Sequence, residues 1–206
     1  MKIFETRQAP NPRRVRIFLA EKAIEIDFEE IDLMQGALKT ESFTRLNPMQ
    51  RVPVLQFDDG SCLSESVAIC RYFEELQPEP PLFGRGALGR ARIEMWNRRI
   101  EHGLFFHVAQ AFRHSHPAMA ELEVPQVAAW GESNIPKALE NLRLINGKLA
   151  DRPFIAGDDY SIADITALVA VDFMKPARIE LPGGADRLQH LQRWHDDVSG
   201  RPSAAA

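Results

Sequence analysis

A chemical reading of this 206-residue chain starts from Glu65 and Ser66. They sit in the run from Arg51 to Phe73, RVPVLQFDDGSCLSESVAICRYF. Asp58-Asp59-Gly60 is a hairpin turn, because glycine accepts the positive φ that a tight connection demands. Val54-Leu55-Gln56-Phe57 before it and Ser61-Cys62-Leu63 after it suit two strands. Ser64-Glu65-Ser66 then opens a helix, with Ile69, Cys70, Phe73 and Leu76 expected on its buried face. A helix N-terminus offers free N–H groups and a partial positive charge, which suit a carboxylate. The Ser66 hydroxyl can take another carboxylate oxygen, and Glu65 can take an ammonium. Upstream, Val52-Pro53 reads as a strand entry, since proline has no N–H to give a ladder. The bond between them is expected to be cis, with the Val52 N–H and C=O offered to an extended peptide as an added strand would be. A small peptide with an amino-acid head and a central amide satisfies all three features. Taken singly, each is better explained by capping or strand entry.

The elements that must position these residues can be read on either side. Lys2 to Glu5 is a short strand, followed by the loop Thr6 to Pro12. Asn11 is a good N-cap and Pro12 a good first helical residue. Val15, Phe18 and Leu19 mark one helix face up to about Ala23, and Ile24, Ile26 and Phe28 alternate as a second strand. Strand, helix and strand make a right-handed βαβ unit. A short helix is expected from about Ala37 to Leu46, stopped by Asn47-Pro48. Residues 1–77 thus read as one α/β domain in the order βαβαββα. Residues 78–86, rich in proline, read as a stiff linker.

Everything from 87 to 206 reads as helix. One long helix carries Ala91, Met95, Ile100, Leu104, Val108 and Phe112. A second, from about Val124 to Leu149, buries Leu139 and Leu142, and Pro136 inside it should kink or restart it. Ser161 and Asp164 form a capping box, flanked by Tyr160 and Ile165 as a hydrophobic staple. A last helix spans roughly Asp186 to Val198, and the tail from Pro202 to Ala206 is expected to fray.

Composition narrows the function classes. The net charge is −4, with both signs interspersed, which leaves no footprint for nucleic acid or an anionic membrane. The two cysteines, Cys62 and Cys70, form no C-x-x-C pair, so neither a disulfide nor a metal site is expected. No signal peptide precedes the first strand and no run approaches the ~20 apolar residues of a membrane span, so the cytoplasm is the expected location.

In the order Arg51-Val52-Pro53-Val54-Leu55, Asp59-Gly60 and Leu63-Ser64-Glu65-Ser66-x-Ala68-Ile69, the chain resembles the cytosolic glutathione transferases. The resemblance runs through nearly the whole chain. It implies a thioredoxin-like N-terminal domain followed by an all-α domain holding the co-substrate pocket. It implies glutathione as co-substrate, a small apolar electrophile, detoxification chemistry and a homodimer. Val52 and Pro53 would hold the cysteinyl backbone, and Glu65 and Ser66 the γ-glutamyl head. Lys39 and Arg51 are the cations available for the glycyl carboxylate, because the position near Leu38 where theta-like relatives often place a histidine is apolar here.

The pattern departs where the thiol must be activated. Most relatives place Tyr, Ser or Cys after the first strand, and Thr6 to Pro12 contains none of them; Ala9 stands about where one is usual. Thr6 and Asn11 are the local polar side chains. The runs from Asn11 to Lys22 and from Leu33 to Pro53, with the His-rich stretch His107 to His116, look most like bacterial and fungal members lacking those residues. There, a water held by His and Ser replaces the hydroxyl. His107, His114 and Ser115, with His116 beside them, are the candidates here. Free N–H groups at Arg13 and Arg14 would add positive potential for the sulfur. Conjugation is the leading expectation. Glutathione-dependent reduction of peroxides or disulfides, and a non-catalytic binding or scaffold role, are the alternatives.

Overall fold

The structure is a computed structural model that describes every residue except Met34, and the backbone alone of Ala185. Met34, the first residue of the loop ending at Lys39, therefore lies outside the described residues. The chain divides into two compact units: Met1–Leu82 with Pro202–Ala206, and Phe83–Arg201.

The first unit is built on a four-stranded sheet in the order β2-β1-β3-β4. β1 (Lys2–Glu5) pairs parallel with β2 (Asp27–Glu30) and antiparallel with β3 (Val54–Gln56), which pairs antiparallel with β4 (Cys62–Ser64). The second strand differs from expectation. Its ladder begins at Asp27, opposite Lys2, so Ile24 and Ile26 lie in the approach to it and all four strand residues are exposed. Strand period 2 divides the sheet residues between two faces. Phe4 and Val54 share one face and pack with Leu38 and Phe43; Ile3 and Leu55 lie on the other and are fully buried.

Helix α1 (Pro10–Glu21) packs against α3 (Ser66–Leu76). The expected helix at 37–46 is broken in two: a 3₁₀ turn, Ala37–Lys39, and α2 (Glu41–Leu46). Thr40 stands at the break and caps α2 by accepting from the Phe43 N–H. On α3, Ile69, Cys70 and Phe73 are buried as expected, but Leu76 is exposed in the last turn. The tail does not fray. Ser203 is buried and donates to Glu21, and Arg13 Nη2 donates to the Ala204 carbonyl at 3.3 Å.

The second unit is helical. α4 (Gly86–Ile100) continues through a π-helical turn, Glu101–Phe105, into α5 (Phe106–Ser115). Ile100, Leu104 and Val108 are buried, whereas Met95 is exposed and Trp96 takes the inward position. α6 (Ala128–Lys148) runs through Pro136 without restarting; Pro136 is exposed, so the carbonyl it fails to serve can meet water. Leu142 is fully buried, with Ala138 rather than Leu139 beside it. α7 (Ile162–Asp172) is buried almost throughout and opens on the capping box of Ser161 and Asp164. The last helix, α8, starts later than expected and covers Gln189–Ser199. Two of its first-turn N–H groups, at His190 and Leu191, are taken by Asn146 Oδ1.

Candidate functional site

Three chain segments leave the sheet at one end. β1 pairs with β3 at Phe4↔Val54, and β3 with β4 at Val54↔Ser64. The continuation of β1 into Thr6, the approach to β3 through Val52 and the exit of β4 into Glu65 therefore lie at the same edge. The Val52-Pro53 bond is cis, as expected. The loop before it is fixed by Asn47, a buried side chain that accepts from the Met49 N–H and donates to the Arg51 carbonyl.

Glu65 caps α3 in an unusual conformation, with φ 70° and ψ 113°. A side chain with a Cβ is strained there, and such strain persists only where the surroundings enforce it. The residue is exposed, so its carboxylate faces solvent at the helix start. Ser66 is 5% exposed, and its Oγ accepts from Arg14 Nη1 at 2.9 Å. Asn11 Oδ1 lies 3.5 Å from the same Oγ. The structure thus brings Asn11, Ser66 and Glu65 together and adds the Arg14 side chain, where sequence reasoning used only the Arg14 backbone N–H. A charged residue beside Val15, on the helix that must cover the sheet, was the available signal. Lys39 and Arg51 are exposed, and Arg51 Nη1 donates to the Gln50 carbonyl.

The start of α1 corrects two expectations. The helix begins at Pro10 with Ala9 as its N-cap, so Asn11 lies inside the first turn and caps nothing. Pro12 falls where a helix N–H has no acceptor anyway, so it does not interrupt the turn. Arg13 N–H is bonded to the Ala9 carbonyl at 3.2 Å, and Arg14 N–H falls within the helical ladder. Pro10 and Pro12 have no N–H. Among the described residues the first-turn donor left is the Asn11 N–H, one group rather than a cluster. Thr6 is also committed: its hydroxyl donates to the Ile31 carbonyl at 2.7 Å. Arg16, buried against Glu5, donates to the Arg7 carbonyl at 2.7 Å and fixes the loop from below.

In the second unit the histidines differ in which ring nitrogen is basic. His114 Nδ1 accepts from the Val127 N–H at 3.1 Å, so its proton sits on Nε2, 3.8 Å from Glu123. His116 Nδ1 accepts from the Ala118 N–H, with the same consequence. His107 is the reverse. Its Nδ1 meets Asn134 Oδ1 at 2.6 Å, while Asn134 Nδ2 donates to the Trp130 carbonyl, so Nδ1 carries the proton and Nε2 keeps the lone pair. The Ser115 hydroxyl donates to the Ala111 carbonyl. Phe112 stacks on His116 and packs on Phe173, while Phe106 is exposed.

Cys62 is half-buried on β4, and burial pushes its thiol above the ordinary range, away from thiolate chemistry. Among the described residues no group of three or more His, Cys, Asp or Glu is placed to hold a metal. No described helix is long and apolar enough to cross a membrane.

Comparison with known proteins agrees with this architecture. Residues 9–76 match the glutathione S-transferase N-terminal domain, and residues 104–202 match the C-terminal domain. Glutathione S-transferase 2 of Saccharomyces cerevisiae is 35% identical over 206 residues, covering 98% of this chain and 87% of the relative. Among solved structures, a glutathione S-transferase domain-containing protein of Marinobacter aquaeolei is 38% identical with a TM-score of 0.93, covering 98% of this chain and 99% of that one. A Gtt2-class transferase of Vibrio parahaemolyticus is 35% identical with a TM-score of 0.85, over 98% and 95% of the two chains. The chain belongs to the glutathione S-transferase family, and it is an enzyme of that family.

Proposed function

We propose that this enzyme conjugates glutathione to small apolar electrophiles, without a catalytic Tyr, Ser or Cys in the loop after β1. The observation that carries the reading is the strained Glu65 at the head of α3, with Ser66 buried behind it. Glu65 takes the ammonium of the γ-glutamyl head and Ser66 its carboxylate. The Val52 backbone takes the cysteinyl amide beside Pro53, and Lys39 and Arg51 serve the glycyl carboxylate.

The thiol of glutathione is mostly protonated at neutral pH, as cysteine is with its pKa of ~8.5. Thr6 cannot supply its hydroxyl proton while it serves Ile31. The Asn11 N–H and carboxamide offer hydrogen-bond donors to the sulfur, and a water associated with His107 accepts the proton. His114 and Ser115 hold that water, His114 as a donor through Nε2. The base is assigned to His107 because its Nε2 has the free lone pair. The setting proposed is the cytoplasm, and the assembly a homodimer, the latter on resemblance alone.

Glutathione-dependent turnover of an activated aryl halide, measured beside that of an organic hydroperoxide, tests the proposal. Conjugation predicts turnover of the aryl halide. Turnover of the hydroperoxide alone would make the protein a reductase, and turnover of neither would overturn the conjugation reading for this electrophile class.

A further inference from the structure

We infer that Arg14 is a positioning residue of the glutathione site: its buried guanidinium fixes the Ser66 hydroxyl as a donor to the α-carboxylate of the γ-glutamyl head. The inference rests on the assignment of Ser66 given under Proposed function. Arg14 is 2% exposed, although arginine is almost never fully buried unless paired. Its Nη1 lies 2.9 Å from Ser66 Oγ. A guanidinium has donors only, so Oγ is the acceptor of that bond and the hydroxyl proton must point elsewhere. Asn11 Oδ1 is the protein acceptor on offer, at 3.5 Å. That contact is long, and an ionised carboxylate is the stronger acceptor, so a bound carboxylate takes the proton.

The same residue supplies a second donor. Ser66 is the first residue of α3, so its N–H has no acceptor within the helix. Arg14 also polarises the hydroxyl it holds and sets a fixed positive charge one hydroxyl away from the anion. Asn11 and Arg14 stand three positions apart on α1, on one side of that helix, which is why both reach Ser66. The packing of α1 on α3 is thereby tied to recognition of the ligand's head.

The test is calorimetric titration with two ligands: glutathione, and γ-aminobutyryl-cysteinyl-glycine, which keeps the ammonium and lacks the α-carboxylate. Arg14→Met is expected to weaken glutathione about tenfold, and the analogue by less than about twofold. In a Ser66→Ala background, Arg14→Met should leave the ratio of the two affinities unchanged. Arg14→Lys keeps the charge and loses the planar fork, so it should retain part of the preference; it also serves as the probe if Arg14→Met fails to fold. Equal loss of both ligands in the Arg14 variants would show a structural role and overturn the inference. A wild-type protein that binds glutathione no better than the analogue would overturn the assignment of Ser66 itself, a separate result.

Discussion

Replacing Glu65 by glycine and by alanine separates the two things the residue does. Its φ of 70° and ψ of 113° lie in a region that costs a side-chain-bearing residue about 1–3 kcal/mol. Glycine relieves that strain but adds unfolded-state freedom worth about 0.4–1 kcal/mol. Glu65→Gly should therefore make the free protein more stable, by about 1 kcal/mol. Glu65→Ala keeps the strain, and because the carboxylate is exposed its stability should stay within about 0.5 kcal/mol of wild type. Both variants remove the carboxylate proposed to bind the ligand ammonium, a charge-assisted bond worth about 1.5–3 kcal/mol, so both should bind glutathione about ten- to a hundredfold more weakly. Urea unfolding gives the first quantity and calorimetry the second. A Glu65→Gly protein no more stable than Glu65→Ala would refute the strain. Unchanged glutathione affinity in either folded variant would refute the binding role.

Asp164 is fully buried; its carboxylate accepts from Ile155 N–H and Trp194 Nε1–H on one oxygen and from Ser161 on the other. Asp164→Asn turns one oxygen into a donor facing donors, at about 2–5 kcal/mol of stability by denaturant unfolding. Burial raises the Asp164 carboxyl to about 6, against those hydrogen bonds. The folded state thus holds this proton more tightly than the unfolded chain. Its contribution is full below about pH 4 and is lost as pH rises through 6, about 3 kcal/mol in all. That slope in stability against pH should vanish in Asp164→Asn. Lys22 is buried, with Nζ 2.6 Å from Glu74 and bonded to the Gln77 and Pro80 carbonyls. Lys22→Met should cost about 3–5 kcal/mol of unfolding free energy. His107→Ala should lower kcat by about a hundredfold or more with little change in KM for glutathione, while Thr6→Ala should leave kcat within a few-fold.

Much of the first unit was legible because its signals are local. The Asp59-Gly60 turn, the strands around it and the face of α3 carrying Ile69, Cys70 and Phe73 each depend on neighbours in sequence. The capping box of Ser161 and Asp164 is likewise a four-residue pattern. What failed depended on distant partners. The second strand starts where β1 offers a partner, at Asp27, so the alternation of Ile24 and Ile26 could not set its boundary. The tail is held by Glu21 and Arg13, 182 and 191 residues away along the chain. The Arg14 side chain has no local sequence partner; its contact with Ser66 exists only once α3 packs against α1. At the start of α1, the preference of Asn11 for capping lost to the two prolines, which fit the first turn because their missing N–H groups had no acceptor to serve. The tautomers of His107 and His114 are set by Asn134 and Val127, on or beside α6, and no local pattern specifies them.

Glutathione bound to this enzyme is proposed to ionise with no hydroxyl or thiol from the loop after β1. The direct test is a pH titration of the thiolate ultraviolet absorbance of glutathione bound to the wild-type enzyme. The bound thiol should be largely ionised at neutral pH, titrating at least about two pH units below the free thiol near 8.5. A bound thiol that titrates with free glutathione would contradict it.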